Sequence, residues 1–335
     1  MTTRIAISGM GRIGRLCLRA IFELNRTDIE VVAINNRGRI DAFAHLFKYD
    51  SVHGRFGGEV SHDHNSITIN GKKIPVLQSS DPDELDWRPY DVDVLFECTG
   101  KFTDRDGAAK HIAAGAKKVL ISAPAKGDDA TIVYGVNHNT LKASDTVVSC
   151  GSCTTNCLAP VAHVLNNLCG IEKGFMTTIH AYTGDQNIHD GSHKDMHRAR
   201  GAAMSMVPTS TGAASAIGKV IPELNGKLDG VAIRVPTANV SLVDLKFNAK
   251  KPTSVEAVQA AMKSAAADEL KGVLGVYDEP LVSVDFNHSP YSANFALNEI
   301  KVMDGTFVRV MAWYDNEWAF SIRMLDVAGA MKAAK

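Results

Sequence analysis

The chain has 335 residues, of which 45% are hydrophobic and 22% charged, and its formal net charge is -1. This length favours two domains, and the near-zero charge provides no global attraction to nucleic acid or to a membrane surface. No apolar run approaches the roughly 18 residues that span a bilayer. The six cysteines do not suggest a disulfide framework in so long a chain. We therefore expect a cytoplasmic globular protein, and a strand pattern that starts at residue 4 leaves no room for a targeting peptide.

A short apolar strand at residues 4–8 runs directly into a glycine-rich turn, and a helical pattern follows at 13–24. The glycines Gly9, Gly11 and Gly14 have the G-x-G-x-x-G spacing of a dinucleotide-binding loop, with a second strand at 29–34. Glycine lets the chain turn tightly and lets the backbone approach a pyrophosphate at the helix N-terminus. The alternative is a glycine-rich turn without a ligand.

The second strand ends in Asn35-Asn36-Arg37-Gly38-Arg39, where an Asp or Glu ordinarily binds the adenosine ribose. A carboxylate there repels a 2′-phosphate, whereas an amide does not and a guanidinium can bind it. One interpretation is a pocket that accepts NADP. The other is that Arg37 and Arg39 are solvated loop residues and that NAD binds through Asn36. The sequence does not choose between them.

Strand and helix patterns continue to alternate as far as residue 122. We predict helices at 41–48 and 104–114, strands at 92–97 and 118–122, and a hairpin of strands 66–69 and 73–77 around an Asn-Gly turn. This alternation predicts an α/β fold with a Rossmann-type, doubly wound parallel sheet. Because ligands bind beyond the carboxyl ends of such strands, Thr99 and Ser122 are candidate cofactor contacts.

A cysteine-rich stretch at 150–157 precedes a helical pattern at 158–168. Cys153 lies among small hydroxyl residues that cap helices, where unpaired N–H groups and the helix dipole favour a thiolate. Cys153 is therefore a candidate nucleophile, although a single cysteine is more often a buried structural residue. His180 follows a strand pattern at 173–178. Beside Cys153 it would keep the thiolate ionised and act as general base, whereas alone it would be read as structural.

Arginine and threonine recur in three later segments: the basic stretch 193–200, Pro-Thr-Ser-Thr-Gly-Ala at 208–213, and Arg-Val-Pro-Thr at 234–237. Guanidinium groups, hydroxyls and Thr-Gly turns suit phosphate groups. Together the segments predict a phosphorylated substrate or phosphate as a reactant. Each of them alone is equally compatible with a solvated loop.

The remaining patterns complete a second domain. Strands at 240–247 and 306–313 and a helix at 255–266 predict an α+β domain with a mainly antiparallel sheet. An alanine-rich helix follows at 318–334. We predict a dinucleotide-binding domain at 1–151, a catalytic domain at 152–315, and a C-terminal helical segment at 316–335 that packs back on the first domain.

With these segments assembled, the chain resembles the phosphorylating glyceraldehyde-3-phosphate dehydrogenases of bacterial type over essentially its full length. The matching stretches are GMGRIGR at 9–15, KYDSVHGRF at 48–56, SCTTNCLAP at 152–160, HAYTGDQ at 180–186, PTSTGAA at 208–214, RVPTANVSLVDL at 234–245 and WYDNE at 313–317. The resemblance implies oxidation of D-glyceraldehyde 3-phosphate to 1,3-bisphosphoglycerate in glycolysis or gluconeogenesis, with NAD as cofactor.

The resemblance also implies residue roles. Cys153 attacks the aldehyde to give a thiohemiacetal, His180 takes the hydroxyl proton, hydride passes to the nicotinamide, and inorganic phosphate cleaves the resulting thioester. The implied substrate and phosphate contacts are Ser152, Thr154, Thr183, Arg198, Thr211, Gly212 and Arg234. The implied cofactor contacts are Arg12, Ile13, Asn36, Ser122 and Asn316. Family members are usually homotetramers in which a loop, here 181–203, reaches a neighbour's cofactor site.

Several residues depart from the family pattern. They are Ser8 for Asn, Met10 for Phe or Tyr, Asn36 for Asp, Ser80 for an adenine-side Arg, His197 for Arg, and Phe320 for Tyr. Asn36 puts selectivity for NAD over NADP in question. His197 weakens the assignment of the neighbouring Arg198 to phosphate.

Cys150 stands where the family usually has Asn, and it forms a C-x-x-C pair with Cys153. A zinc site would need a second such pair, so we predict no metal. We hypothesise that Cys150 forms a reversible disulfide with an oxidised Cys153 and so protects the nucleophile. The alternative, which the sequence favours, is a buried and inert cysteine.

Two other functions are compatible with the sequence: erythrose-4-phosphate dehydrogenase, and a non-catalytic binding protein on the same fold. The Pro-Thr-Ser-Thr-Gly-Ala stretch resembles the triose enzymes more closely. The intact pair of Cys153 and His180 argues against a loss of catalysis.

Overall fold

The computed structural model describes residues 2–335 and divides the chain into two units. The first unit runs to Ser152 and also includes Ser321–Lys335, and the second unit is Cys153–Phe320. Each unit is built on its own large sheet.

Most of the first unit consists of short strands joined by helices and loops. Its strands are β1 (Thr3–Ser8), β2 (Ile29–Asn35), β3 (Tyr49–Asp50), β4 (Gly54–Arg55), β5 (Val60–His62), β6 (Ser66–Ile69), β7 (Lys72–Leu77), β8 (Val94–Glu97), β9 (Lys118–Ile121), β10 (Ala130–Thr131) and β11 (Val147–Ser149). Its helices are α1 (Arg12–Glu23), α2 (Ile40–Lys48) and α3 (Arg105–Ala113).

Nine of these strands form one sheet in the order β10-β11-β9-β8-β1-β2-β7-β6-β5. The strands from β10 to β7 run parallel, and β6 and β5 are antiparallel to their neighbours. The inner strands are apolar runs in which Ile5, Ile7, Leu95 and Phe96 are fully buried, as expected when both faces of a parallel sheet are covered. The predicted doubly wound parallel sheet is confirmed. The carboxyl ends of its parallel strands lie along one edge, where ligands bind in such folds.

The predicted hairpin is formed by β6 and β7, which pair in antiparallel register. Asn70 and Gly71 connect them with φ angles of 47° and 79°. Two successive left-handed residues are what a two-residue type I′ turn requires, which is why Asn-Gly predicts this connection well.

The second unit has its own set of strands and longer helices. Its strands are β12 (Ile171–Ala181), β13 (Val207–Ser210), β14 (Leu228–Val235), β15 (Ser241–Ala249), β16 (Leu274–Tyr277), β17 (Ala293–Ala296), β18 (Lys301–Met303) and β19 (Phe307–Tyr314). Its helices are α4 (Cys153–Cys169), α5 (Ala213–Val220) and α6 (Val255–Ala267), and α7 (Trp318–Ala333) follows.

The strands of this unit form one sheet in the order β13-β14-β12-β15-β19-β17-β16, with β18 paired to β19. The pairs β12–β14 and β16–β17 are parallel and the others are antiparallel. The predicted mainly antiparallel sheet is therefore confirmed. Alternate residues of β19, including Val308, Val310 and Ala312, are buried, and α4 packs against this strand.

From Ser321 onward, α7 belongs to the first unit. Lys332 pairs with Asp93 at the start of β8, and Lys118 Nζ donates to the Met331 carbonyl oxygen at 2.9 Å. Among residues 2–335, no helix is both long and apolar enough to cross a membrane.

Candidate active site

A cavity of about 300 Å³ opens at the carboxyl edge of the first unit's sheet. It is lined by the loops that follow β1, β2, β7 and β8. Five of the predicted cofactor residues line it, namely Gly9, Gly11, Asn36, Arg37 and Thr99. The fold therefore brings the glycine loop and the end of β2, where the sequence predicts a ribose contact, to one cavity.

Two of the three motif glycines, Gly9 in the loop after β1 and Gly14 in α1, are required by close packing. A Cβ on Gly9, where φ is +93°, would lie 2.6 Å from the Thr99 nitrogen, and a Cβ on Gly14 would lie 2.0 Å from the Gly9 oxygen. A Cβ on Gly11 would meet no protein atom within 4 Å. Helix α1 begins without a side-chain cap, so its first N–H groups can bind an anion. The loop fits the pyrophosphate of a dinucleotide.

Arg12, at the start of α1, already has a partner in the structure. Its Nη2 lies 3.1 Å from Asp50 Oδ1. Burial raises the pKa of Asp50, but the Arg12 guanidinium and the N–H groups of His53 and Val52 outweigh burial and lower that pKa to about 2. The pair is thus charged at neutral pH, and it orients Arg12 at the entrance of the helix. Ile13 beside it is half-buried.

The two arginines after β2 differ in their surroundings. Arg39 forms an ion pair with Asp41, with Nε 3.0 Å from Oδ1. Arg37 lines the cavity and is exposed, and within residues 2–335 it forms no ion pair. Asn36 is held by its N–H, which donates to the Leu77 carbonyl oxygen at 2.9 Å. Arg37 is therefore the arginine whose charge is available to a ligand.

Ser122 and Thr99 lie where the sequence placed them, just after β9 and β8. Thr99 lines the cavity. The Ser122 N–H donates to the Glu97 carbonyl oxygen at 3.0 Å, and its side chain is half-buried.

In the second unit, the structure brings Cys153 and His180 together. Cys153 is the first residue of α4, which starts five residues before the predicted helical pattern. Its Sγ lies 3.5 Å from His180 Nε2. His180 Nδ1 lies 2.7 Å from the Ala181 carbonyl oxygen, which can only accept a hydrogen bond. Nδ1 therefore carries the proton, and Nε2 presents its lone pair to the thiol.

The protonation states of this pair differ from the expectation that a helix start makes Cys153 a thiolate. Burial raises the pKa of the Cys153 thiol, and the Arg234 guanidinium and the Thr154 N–H oppose it without reversing the direction. Burial also lowers the pKa of His180 to about 3, and Arg234 adds to this effect. Both groups are neutral at pH 7. Moving the proton from Sγ to Nε2 would create two opposite charges that stabilise each other.

Two buried donors near Thr183 lack acceptors. Arg234 donates from Nη1 to the Ala181 carbonyl oxygen and to Thr183 Oγ1, at 3.1 and 3.2 Å. Its Nε, and the Nε2 of Gln186, are buried without an acceptor within residues 2–335. A buried donor without an acceptor costs free energy. These two donors therefore form a candidate site for an anion.

The predicted phosphate contact Arg198 is partly neutralised. It pairs with Asp185, and its Nε donates to Thr209 Oγ1 at 3.1 Å. A phosphate at Arg198 would share the guanidinium with that carboxylate. Thr211 and Gly212 precede α5. The N-cap residue, Gly212, provides no side-chain cap, and the Thr211 hydroxyl accepts the Ala213 N–H at 3.2 Å.

The Thr154 hydroxyl belongs to a buried hydrogen-bonded group. It lies 2.8 Å from the Tyr314 hydroxyl, which lies 2.9 Å from Thr178 Oγ1. The Tyr314 ring stands edge-on to the His180 ring, with 5.9 Å between centroids. Thr154 thus positions Tyr314 beside the histidine. Ser152, which precedes Cys153, is half-buried.

Asn316 follows β19 and is buried. Its Oδ1 accepts the Ser241 hydroxyl at 2.8 Å, and Ser241 Oγ accepts the Ala181 N–H at 3.0 Å. This bond orients the side-chain amide, whose Nδ2 forms no hydrogen bond within residues 2–335 and can donate to a ligand.

Cys150 lies at the end of β11 and is fully buried. Its N–H donates to the Ile121 carbonyl oxygen at 3.0 Å. Cys150 is also a neighbour of the Cys17 thiol. Burial and the nearby Cys98 raise the pKa of Cys17 well above its usual range. Burial among other thiols agrees with the inert alternative, and the redox role of Cys150 stays a prediction.

Sequence reasoning assigned no role to Gln186, Tyr314 and Asp185. Gln186 and Asp185 lie in HAYTGDQ, and Tyr314 lies in WYDNE, so the resemblance covered these positions without indicating their function. The Tyr314 contacts join segments that are far apart in the chain, since its partners are Thr154 and Thr178.

The two units thus contain a dinucleotide-binding loop and a cysteine paired with a histidine, the parts of an oxidoreductase that works through a thiol. Two family models match the chain: glyceraldehyde 3-phosphate dehydrogenase, NAD binding domain, at residues 3–105, and glyceraldehyde 3-phosphate dehydrogenase, C-terminal domain, at residues 152–316.

Several relatives carry the name glyceraldehyde-3-phosphate dehydrogenase. The chain is 61% identical over 331 residues to that of Xanthobacter flavus and 59% identical over 331 residues to that of Cereibacter sphaeroides, with 99% of both chains covered in each case. It is 52% identical over 329 residues to that of Geobacillus stearothermophilus, with 98% of both chains covered. The chain belongs to the glyceraldehyde-3-phosphate dehydrogenase family and is of the bacterial type.

Proposed function

We propose that the protein oxidises D-glyceraldehyde 3-phosphate to 1,3-bisphosphoglycerate, using inorganic phosphate and NAD. The observation that carries the proposal is the pair of Cys153 Sγ and His180 Nε2, 3.5 Å apart, beside a buried Arg234 Nε without an acceptor. A nucleophile, its base and an anion site are the groups that this reaction needs.

His180 moves the protons of the reaction. Its Nε2 takes the thiol proton as Cys153 Sγ bonds to the aldehyde carbon, and the proton passes to the carbonyl oxygen, giving a thiohemiacetal. His180 then removes this hydroxyl proton as hydride leaves the carbon, and a thioester remains on Cys153. NAD, when bound, supplies the hydride acceptor.

Phosphate completes the turnover. A phosphate oxygen attacks the thioester carbonyl carbon, the carbon–sulfur bond breaks, and the acyl phosphate leaves. The departing Cys153 sulfur recovers its proton from His180. Free thiol and neutral imidazole are thereby restored, which matches the neutral pair favoured by burial.

Two groups of residues would bind the phosphates of the substrate and of the inorganic reactant. One consists of Arg234, Thr183 and Gln186, in which Arg234 Nε and Gln186 Nε2 are buried donors without acceptors. The other consists of Arg198 with Thr211 and Gly212, which precede α5. In the second group an arriving phosphate would compete with Asp185 for Arg198.

We infer that NADP is accepted in addition to NAD. The support is electrostatic, because the cavity lining contains two cations, Arg37 and Lys101, and no Asp or Glu. A 2′-phosphate beside Asn36 would therefore meet an amide and a guanidinium instead of a carboxylate.

A steady-state assay with purified protein tests the main proposal. With glyceraldehyde 3-phosphate, inorganic phosphate and NAD we expect NADH to form, and erythrose 4-phosphate should be the poorer substrate. NADH formation without dependence on phosphate would contradict the phosphorylating reaction. Absence of turnover with intact NADH binding would favour the binding-protein alternative.

We also infer a homotetramer in the cytoplasm. The support for assembly is the loop at 181–206, in which four large apolar side chains are 74 to 84% exposed: Ile188, Met196, Met204 and Met206. Such a patch is typical of an interface. Within residues 2–335 no disulfide joins any of the six cysteines, and a reducing compartment would keep Cys153 as a thiol.

A further inference from the structure

A chain of buried polar side chains lies at the cofactor cavity in the first unit, and one of its members, His111, is among the residues that line this cavity. Trp87 Nε1 lies 3.3 Å from His111 Nδ1, and His111 Nε2 lies 3.0 Å from Glu97 Oε2. Trp87 and His111 are fully buried and Glu97 is 1% exposed. The other carboxylate oxygen, Oε1, accepts the Thr99 N–H at 2.7 Å and also the Thr99 hydroxyl.

The direction of every hydrogen bond in this chain is determined. An indole nitrogen can only donate, so His111 Nδ1 accepts and His111 Nε2 must carry its ring proton. Nε2 then donates to Glu97. The carboxylate therefore receives three donors, one from His111 and two from Thr99, and the Thr99 hydroxyl in turn accepts the Lys101 N–H at 3.1 Å.

The turn held by this chain packs directly against the glycine loop. A Cβ on Gly9 would lie 2.6 Å from the Thr99 nitrogen and 2.8 Å from the Cys98 carbonyl carbon. Thr99 also lines the cavity together with Gly9 and Gly11. A shift of Thr99 would thus either displace the glycine loop or open a gap beside it.

Stability alone does not account for a carboxylate in this place. Burying a charge costs free energy that hydrogen bonds only partly offset, and well-packed apolar side chains of similar volume often do as well or better. The neighbours are apolar, since Trp87 belongs to the same core cluster as Val92 and Leu95. What the polar chain adds is a defined position for Thr99.

We propose that Glu97, oriented by His111 and Trp87, is a positioning residue that holds Thr99 against the glycine loop and thereby sets the affinity for the nicotinamide dinucleotide. The inference rests on the proposed use of this cofactor. None of the three residues needs to touch the cofactor, because they act through Thr99.

Substitution at Thr99 tests the hydroxyl bond with little effect on folding, because this side chain is half-buried. Thr99→Ser keeps both donors to Glu97, and we expect its Kd for NADH to rise less than that of Thr99→Val. Thr99→Val has nearly the same shape but lacks the hydroxyl, and we expect its Kd for NADH to rise about tenfold. The Kd is measured by equilibrium fluorescence titration, without substrate.

Glu97→Gln tests the chain itself. A glutamine side chain has only one oxygen. If this oxygen accepts from Thr99, the NH₂ group faces the His111 N–H, and two hydrogen-bond donors then oppose each other. We expect a rise in the Kd for NADH of about tenfold with a much smaller change in kcat. In the Thr99→Val background the same change should add little, because both substitutions interrupt the same chain of hydrogen bonds.

Val92→Ala is the matched control, because Val92 is fully buried in the same core cluster but is not part of the chain. It should lower the melting temperature and leave the Kd for NADH unchanged. Equal losses of NADH affinity in Val92→Ala and Glu97→Gln would overturn the positioning role, as would unaltered binding by Glu97→Gln. Failure of the unaltered protein to bind NADH would instead contradict the proposed function.

Discussion

Arg234 lowers the pKa of both Cys153 and His180, which favours the charged form of the cysteine and the neutral form of the histidine. Its positive charge lowers the pKa of the Cys153 thiol against the larger effect of burial, and it lowers the pKa of His180 in the same direction as burial. Arg234 thus favours the thiolate and opposes the imidazolium. An anion bound at the free Nε of Arg234 would screen both effects, so binding of a phosphate group changes the acidity of the pair.

We expect Cys153→Ser to reduce kcat at least about a thousandfold, because a hydroxyl is a far weaker nucleophile than a thiol at neutral pH. NADH binding should be unchanged. The matched control is Cys169→Ser in the same helix, since a hydroxyl can replace the Cys169 thiol as donor to the Leu165 carbonyl oxygen. The assay follows NADH formation. Oxidation of the aldehyde at an undiminished rate by Cys153→Ser would exclude this residue as the nucleophile.

His180 makes stability depend on pH. Its folded-state pKa of about 3 lies below the ordinary 6.5, so below pH 6.5 the unfolded chain binds a proton that the folded protein does not. The contribution of neutral His180 is thus fully present above pH 6.5 and is lost as the pH falls toward 3. His180→Asn should lower the slope of unfolding free energy against pH by up to about 1.4 kcal/mol per unit in this range. Urea unfolding of both proteins at several pH values measures the slopes, and identical slopes would refute the prediction.

Asn36 and Arg37 determine the response to a 2′-phosphate. We expect Asn36→Asp to lower kcat/KM for NADP at least about tenfold while kcat/KM for NAD is kept, because the new carboxylate accepts ribose hydroxyls and repels phosphate. Arg37→Ala should also weaken NADP use. Arg39→Ala is the control, because Arg39 is paired with Asp41. A parallel loss with both cofactors in Asn36→Asp would contradict this account.

At the scale of elements, different glycines around the β1–α1 connection serve folding and ligand binding. Gly14 permits the close approach of α1 to the Gly9 carbonyl, whereas Gly11 faces open space at a φ of -72° that any residue adopts. The same motif therefore contains one glycine that the fold needs and one that the ligand needs.

Two alanine substitutions in this loop should have different effects. Gly14→Ala places a Cβ 2.0 Å from the Gly9 oxygen, and we expect it to lower the unfolding free energy by about 1–3 kcal/mol. Gly11→Ala should leave the melting temperature nearly unchanged but weaken NADH binding, because its methyl group occupies the pyrophosphate space. Thermal unfolding and NADH titration of both variants separate the effects. Normal NADH affinity in Gly11→Ala would contradict the placement of the pyrophosphate.

At the scale of the whole molecule, an association prediction follows from the exposed apolar residues at 181–206. We expect the protein to elute with the mass of four chains of 36.0 kDa in light scattering after size exclusion. Met204, which is 84% exposed, would be buried on association, so Met204→Glu should shift the mass toward smaller species. Leu24→Glu, at the residue that follows α1, should leave the mass unchanged. A monomeric unaltered protein would contradict the tetramer.

Much of the fold could be predicted from the sequence, because local chemistry decides it. Asn70-Gly71 adopts two left-handed residues wherever it joins two strands, and the apolar runs around Ile5 and Leu95 can only be buried strands of a covered sheet. The glycine spacing after β1 follows from an equally local rule and predicted a helix directly after the loop, where α1 begins at Arg12. The helix at 158–168 was also predicted, although α4 begins five residues earlier, at Cys153.

Only the tertiary structure decided how the candidate residues act. It showed that burial keeps Cys153 and His180 neutral, which no helix-start pattern indicates, and that Arg39 is paired whereas Arg37 faces the cavity. It also joined Trp87, His111 and Glu97 into one chain. Burial and partner choice depend on segments far apart in sequence, and the free energy of a charge depends on those surroundings. The sequence determined which groups are present, and the packing determined their protonation and their partners.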